Sequence, residues 1–313
     1  MIPNKIDTIG GAWKLAQYVG MGVCAMVTVN GNAKINLTLD ILGTREDGFH
    51  EVSMVMQEID LHDTLELEKT GEGISLEIDA PGLEADERNL AWKAAALMME
   101  EYAIKGGVRI KLAKHIPIAA GLAGGSADAA AVLCGMNQLY GLGLSKEELC
   151  KQGARLGSDI PFCIMGGTML ATGRGEMLRA LPECPEAYVV LAKPPVSVST
   201  AWAYQQYDSV GSPKHPDNEA MEEVLQKYDI IGVAKLLCNV LENVTIKKYE
   251  MIEQYKKIML EQGAMASMMS GSGPTVFALA RTKSEAENIA ACMKERTEAD
   301  IFVAKTVGRA ASN

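Results

Sequence analysis

Histidine is scarce in this sequence. Of four in 313 residues, none (His50, His62, His115, His215) stands in an H-E-x-x-H or comparable spacing, so a catalytic zinc motif is absent. The seven cysteines (Cys24, Cys134, Cys150, Cys163, Cys184, Cys238 and Cys292) are odd in number, scattered and free of any C-x-x-C. That pattern excludes a disulfide framework or a zinc knuckle and reads as reduced thiols in a cytoplasmic protein. Dense basic runs are missing too, in a chain of net charge −10. Nucleic acid and anionic membranes are both held by a positive field, so neither is expected as a partner. No apolar stretch reaches the roughly 18 residues that a membrane-spanning helix needs. What is there, 48% hydrophobic and 22% charged residues, is an ordinary globular composition, neither disordered nor collagenous. At about 100–200 residues per domain the length predicts two lobes, and a small molecule is the expected partner.

Residues 1–25 are set apart as an N-terminal extension or upstream start. Their Lys and Asp are interspersed with Gly, the apolar part is short and broken, and Met26 directly precedes the first strand-like run. From there Ala33 to Ile41 alternates, with Ile35, Leu37, Leu39 and Ile41 on one face and Lys34, Asn36 and Thr38 on the other. A polar turn at 43–48 leads to strand text through Leu67 and again from Ile74 to Ile78. Asn89 opens a helix that Gly106-Gly107 is expected to stop, and Val108 to Leu112 reads as a strand. Ser145 with Glu148 spells a capping box, Gly157 closes that helix, and two glycine pairs flank a hairpin ending near Leu181. Pro182 to Pro185 marks a domain boundary, giving lobes at 26–184 and 185–309. In the second lobe, strands near 187–192, 265–269, 275–280 and 301–307 surround helical text at 219–228, 232–241, 247–261 and 284–296. With the first helices treated as one crossover the order is βαββαβ, that of a ferredoxin-like sandwich.

Two glycine-rich segments carry the chemistry. The first, Pro117-Ile118-Ala119-Ala120-Gly121-Leu122-Ala123-Gly124-Gly125-Ser126, joins a strand to an Ala-rich helix. A phosphate needs close backbone N–H groups and the positive end of a helix, and Gly121, Gly124 and Gly125 remove the Cβ atoms that would hold it away. The segment fits neither the Walker A nor the G-x-G-x-x-G pattern, and it could equally be a tight turn packing helix on strand. Ser126 reads as a phosphate or metal contact or as a helix N-cap. The second, Ser270-Gly271-Ser272-Gly273-Pro274, lies between two strands and could be a plain hairpin turn. As acid or base, Asp159, Asp128 and His50 are candidates. Asp159 stands out because Gly157-Ser158-Asp159-Ile160-Pro161-Phe162 is otherwise apolar, which predicts a half-buried carboxylate. Lys34 is a lone cation in an alternating strand, ordinarily a solvent-facing position. If both faced one cleft, the carboxylate could take a hydroxyl proton while the ammonium stabilises the developing alkoxide.

The Lys34-Ile35-Asn36 strand, the loop and helix at 117–131 and the loop at 270–274 resemble, in order and spacing, the GHMP kinases, small-molecule kinases that include galactokinase, homoserine kinase and mevalonate kinase. Within that family, Ala33 to Leu37, Arg45-Glu46-Asp47-Gly48-Phe49-His50 and Gly157 to Phe162 resemble the branch acting on a cytidyl-diphosphate-linked sugar alcohol. The likeness covers about Met26 to Val307. It implies an α+β fold with a ribosomal-protein-S5-like ATP-binding domain followed by a ferredoxin-like domain, and transfer of the ATP γ-phosphoryl group, with Mg2+, to the 2-hydroxyl of the methylerythritol unit. Carried over by position, Asp159 is the general base and Lys34 its charge partner, and residues 117–126 are the ATP loop. Asn36, Phe49, His50, Thr200, Tyr204, Gly271, Ser272 and Gly273 fall on the substrate side. His50 would read the base, and Phe49, where the family often has Tyr, would stack on it with Tyr204. Ala119, Ala120 and Ala123 replace glycines of some members, Asp128 receives no metal role, and no metal ligands are assigned. Alternatives are a GHMP kinase for another alcohol, against which the Asp-Gly-Phe-His segment argues, and an idle ligand-binding relative, against which Lys34 and Asp159 argue.

Overall fold

The computed structural model describes residues 25–210 and 214–309; the reading of 1–25 as an extension falls, but for Ala25, outside them. The first lobe contains strands β1 (Met26–Asn36), β2 (Thr38–Thr44), β3 (His50–Thr70) and β4 (Gly73–Ile78), helix α1 (Leu90–Glu101) and β5 (Gly107–Ala113). It continues through α2 (Gly124–Tyr140), α3 (Lys146–Ala154), α4 (Ile160–Met165), β6 (Thr168–Thr172) and β7 (Met177–Ala180). β3 is its spine. Antiparallel partners line its two edges, β1 and β2 along one and β5 and β6 along the other, while β4 runs parallel to β5. α1 and α2 cover one face, with Leu65, Leu67, Ile110, Met98 and Leu133 in the core between.

The chain then forms β8 (Tyr188–Lys193), α5 (Thr200–Tyr207), α6 (Asn218–Gln226), α7 (Ile230–Leu236), β9 (Cys238–Asn239), α8 (Glu242–Lys248) and α9 (Met251–Glu261). β10 (Ala266–Met269), β11 (Val276–Ala280), α10 (Lys283–Arg296) and β12 (Asp300–Lys305) complete it. The second sheet has the order β10-β11-β8-β12 with antiparallel neighbours, the ferredoxin-like arrangement that the element order predicts. The result is the expected two-lobed α+β architecture. The lobes share their cores: Ile35, Leu37 and Val55 of the first sheet pack with Leu191, Phe277 and Leu279 of the second. β9 also crosses back to pair with β2.

Several local expectations are corrected. The alternating run does not form one strand with a wet face; it breaks at Leu37, and Lys34, Asn36, Thr38 and Asp40 are as buried as their apolar neighbours. The polar face lies inside because polar partners cover it: the Lys34 ammonium donates to Asn36, and the Thr38 hydroxyl donates to Asn218 Oδ1 at 2.6 Å. α1 ends at Tyr102, before the glycines, and Ala103 takes the first left-handed conformation. The three helical stretches after residue 218 are four, since Leu237 leaves helical geometry and the chain pairs as β9. Helices α4 and α5 are not anticipated; Ser199, whose hydroxyl accepts from the Trp202 N–H, is the N-cap signal that marks α5. Ser126 is not an N-cap either. Ala123 holds that position, and both it and Ala119 are left-handed, φ 60° and 53°, where an L-residue is disfavoured by about 1–2 kcal/mol.

Two devices fix the first glycine loop. Below it, the Asp63 carboxylate accepts from the N–H groups of His115 and Ile116 (2.6 and 2.9 Å), and the Lys114 ammonium bridges Asp63 (2.5 Å) and Asp128 (2.9 Å). All three side chains are buried. Burial pushes the Asp128 carboxyl up to about 7, with Lys114 pulling the other way and Asp63 adding to the rise. Above it, Gly121 (φ +75°) touches the second loop, where the Ser270 hydroxyl donates to its carbonyl at 3.1 Å. A Cβ on Gly121 would stand 2.4 Å from the Ser270 carbonyl oxygen.

Gly121→Ala therefore combines left-handed strain with a backbone clash, and should lower stability by about 2–3 kcal/mol in urea unfolding; an unchanged midpoint would refute the contact. For Asp128, the folded state keeps a proton that the unfolded chain loses above about pH 4. Its stabilising contribution is full below that pH and disappears as pH rises through about 7. Asp128→Asn lacks this dependence. Its Tm relative to wild type should rise by a few degrees from about pH 5 to pH 8, and a fall over that range would show the carboxyl to be lowered instead.

Candidate active site

Between the lobes lies a cavity of about 1060 Å³, bordered by both glycine loops, by the end of β1 and by α5. Lys34 reaches it from β1 with only 4% of its surface exposed. Its ammonium donates to Asn36 Oδ1 at 2.7 Å and stands 3.7 Å from Asp159 Oδ2. Asp159 occupies the N-cap position of α4 yet makes no capping hydrogen bond, and its side chain is 31% exposed. The half-buried carboxylate that the sequence suggests is thus free of the usual structural duty of an Asp at that place. The lysine's own N–H donates to the Leu122 carbonyl at 3.1 Å, tying strand to loop.

Of the first loop, Pro117, Ile118, Ala119, Ala120, Gly121, Ala123, Gly124 and Gly125 line the cavity. Leu122 is buried in the core beneath, and Ser126 lies off the wall on the first turn of α2. In the second loop Gly271 and Ser272 face the cavity and Gly273 does not; its N–H closes the turn onto the Ser270 carbonyl. The Asn239 side-chain amide supports this loop from below, donating to the carbonyls of Met269 and Gly271, both at 2.8 Å. Asn36 is fully buried behind Lys34, donates to the Met54 sulfur and is likewise absent from the wall.

At the far end are Phe49, His50, Thr200 and Tyr204. The turn before Phe49 is closed by the Arg45 N–H donating to the Phe49 carbonyl (2.7 Å) and by the Phe49 N–H donating to Asp47 (3.1 Å). Phe49 is thereby held out with 54% of its surface exposed. The rings of His50 and Tyr204 are 5.0 Å apart at 45°. Burial, with the Asp159 charge adding, lifts the Tyr204 phenol, so it stays a neutral donor. Thr200 and Ser272 share a hydrogen bond of 3.0 Å that joins α5 to the second loop.

The cavity also has walls that the motifs do not announce. Arg174, at the β6–β7 turn, places its guanidinium 5.1 Å above the Phe49 ring. Asp208, capping α5, accepts from His50. Lys114 and Asp128 close the floor. Gly173-x-Gly175 is the one sequence signal for Arg174, a turn with a lone cation at its tip. Among the described residues no group of three or more His, Cys, Asp or Glu side chains could hold a metal ion by itself, and no helix is long and apolar enough to cross a membrane.

Comparison with known proteins agrees with this geometry. The family description "GHMP kinases N terminal domain" matches residues 89–167, and "GHMP kinases C terminal" matches residues 220–299. The 4-diphosphocytidyl-2-C-methyl-D-erythritol kinase of Acetivibrio thermocellus is 47% identical over 285 residues, 90% of this chain and 99% of that protein. The kinase of the same name from Listeria monocytogenes serovar 1/2a is 49% identical over 264 residues, 84% of this chain and 90% of that one. A crystal structure of 4-(cytidine 5'-diphospho)-2C-methyl-D-erythritol kinase superposes with a TM-score of 0.78 at 30% identity, covering 90% of this chain and all of that one. The homoserine kinase from Cytophaga hutchinsonii shares the fold alone: TM-score 0.73, 21% identity, 93% of this chain and 98% of that one. With both family domains present in order and relatives near half identity over almost its whole length, the chain belongs to the GHMP kinases.

Proposed function

We propose that the protein transfers the γ-phosphoryl group of ATP to the 2-hydroxyl of 4-diphosphocytidyl-2-C-methyl-D-erythritol, the substrate in the names of its relatives at 44–49% identity. The observation that carries this reading is the Lys34–Asp159 pair on the wall of the cavity that both glycine loops and the Phe49, His50 and Tyr204 rings also line. This lining supports a reading in which donor, acceptor and base meet in one cavity. Free thiols at all six described cysteines suit a cytoplasmic setting.

In this mechanism the loop at 117–126 holds the nucleotide phosphates through backbone N–H groups at the start of α2, where the helix dipole is positive. Asp159 takes the proton of the acceptor hydroxyl as its oxygen attacks the γ-phosphorus. The bond from that phosphorus to the β–γ bridging oxygen breaks, and ADP leaves with the electron pair. Lys34 lies beside Asp159 and neutralises charge gathering on the transferred group. Asn36 holds the ammonium in place from behind. Phe49 and Tyr204 stack on the cytosine and His50 hydrogen-bonds its edge. Magnesium suits this donor set, because it is commonly carried by one or two protein oxygens together with phosphate oxygens. On the cavity wall Asp159 is a carboxylate this chain would offer, whereas Ser126 lies off the wall, and the ion would supply neutralisation of phosphate charge.

ADP release, followed with and without the cytidyl substrate, tests the assignment: turnover that does not rise on adding the substrate would remove it. Asp159→Asn should retain ATP binding and lose about 10²- to 10⁴-fold in kcat, and near-normal turnover would exclude Asp159 as the base. His50→Ala should raise KM for the cytidyl substrate about tenfold or more and leave KM for ATP nearly unchanged; equal effects on both would dissolve the base pocket.

A further inference from the structure

His50 begins β3, and its side chain is 12% exposed between the Tyr204 ring and the carboxylate of Asp208, which caps α5. The His50 Nε2 to Asp208 Oδ1 distance is 2.8 Å. An ionised carboxylate can only accept, so the hydrogen in this bond belongs to Nε2. In a neutral imidazole the other nitrogen, Nδ1, is then a bare acceptor. Among the described residues Nδ1 has no hydrogen bond of its own, and both His50 and Asp208 border the cavity.

We infer that Asp208 is a positioning residue that fixes the tautomer of His50 and thereby makes the pocket select cytosine over uracil; the inference rests on the base-pocket reading above. The two bases are nearly the same shape and differ where a hydrogen-bonding wall can tell them apart. Cytosine carries an exocyclic amine, a donor, where uracil carries a carbonyl oxygen, an acceptor. An Nδ1 held bare accepts from the amine. Against the uracil carbonyl it sets lone pair against lone pair and leaves both groups unsatisfied, the arrangement that discriminates most strongly between near-isosteres. The carboxylate does this without touching the base. It also explains why a charged residue on a half-exposed helix end turns toward a histidine 158 positions away.

The test uses the whole chain with CDP and UDP as ligands in titration calorimetry, and 15N-histidine NMR to read the tautomer, the His50 signal being assigned by its loss in His50→Gln. Wild type should bind CDP about tenfold or more tightly than UDP and show the hydrogen on Nε2 of His50. In Asp208→Asn the amide can donate as readily as accept, so the His50 hydrogen should distribute over both nitrogens and the CDP-to-UDP ratio should fall about fivefold or more. A wild-type His50 with its hydrogen on Nδ1, a preference for UDP, or a ratio unchanged by Asp208→Asn each overturns the inference. Failure of wild type to bind CDP at all would instead bring down the base-pocket reading, and is seen before any variant is compared.

Discussion

A lysine ammonium taken out of water must find partners, and the architecture of this site follows from how Lys34 finds them. Unpaired, a buried charge of this kind would cost several kcal/mol. Its Nζ is met by Asn36 two residues along the same strand and by Asp159 at the head of α4, while its main-chain N–H binds the first glycine loop at Leu122. The second glycine loop comes close as well: a Cβ on Gly271 would stand 3.6 Å from both the ammonium and Asn36 Oδ1. Four chain segments from two lobes therefore converge on one residue. Asn36, expected on the substrate's side, is spent on this task, which is why it lies behind the wall and not on it.

The same constraint bears on charge. Under the proposed function, a protein of net charge −10 would hold two polyanions, ATP and a nucleoside diphosphate, in one cavity. The wall carries Lys34, Arg88, Lys114 and Arg174, but also Glu84, Asp128, Asp159 and Asp208. Several of these cations are already committed, Lys114 to two aspartates and Arg88 to Glu84 and Asp86. In the proposed mechanism, fixed dipoles at the start of α2 and the loop N–H groups would supply the field that these committed cations do not, and the left-handed Ala119 and Ala123 hold the loop in a conformation that an L-residue disfavours.

Which parts were legible in the sequence follows from the range of the interactions involved. Capping boxes, glycine turns and the βαββαβ order are local, and Ser145 with Glu148 or the 270–274 turn could be recognised within a few residues. Lys34 and Asp159 could be picked out as oddities, a cation in an alternating strand and an acid in an apolar segment. Their pairing is an event of tertiary structure. Burial of the polar face of β1 and β2 could not be seen, because alternation predicts a wet face unless a second lobe covers it. The Asp63–Lys114–Asp128 cluster joins residues 51 and 14 positions apart, and His50 with Asp208 joins residues 158 apart. No spacing rule reaches those distances. Helix α5 was hidden for a different reason, its Pro- and Ser-rich approach, although Ser199 caps it in the ordinary way.

The division between what is shared and what is particular runs through the cavity itself. Solved chains at only 21% and 18% identity share this fold with TM-scores of 0.73 and 0.70, so the scaffold tolerates wide divergence of sequence. Under the proposed function, selection of an acceptor would lie in segments that can change without disturbing the Lys34 junction. The turn at 45–49 and helix α5 meet that condition. Phe49 and Asp208 are surface positions, whereas Lys34, Asn36 and Ser270 are interior ones. Replacing an exposed ring or a helix-end carboxylate leaves the core packing intact, while replacing a residue at the junction would strand a buried charge or a buried carbonyl. Under the proposed function, a fold arranged this way would exchange one alcohol for another at the rim while its glycine loop and charge pair stay where they are.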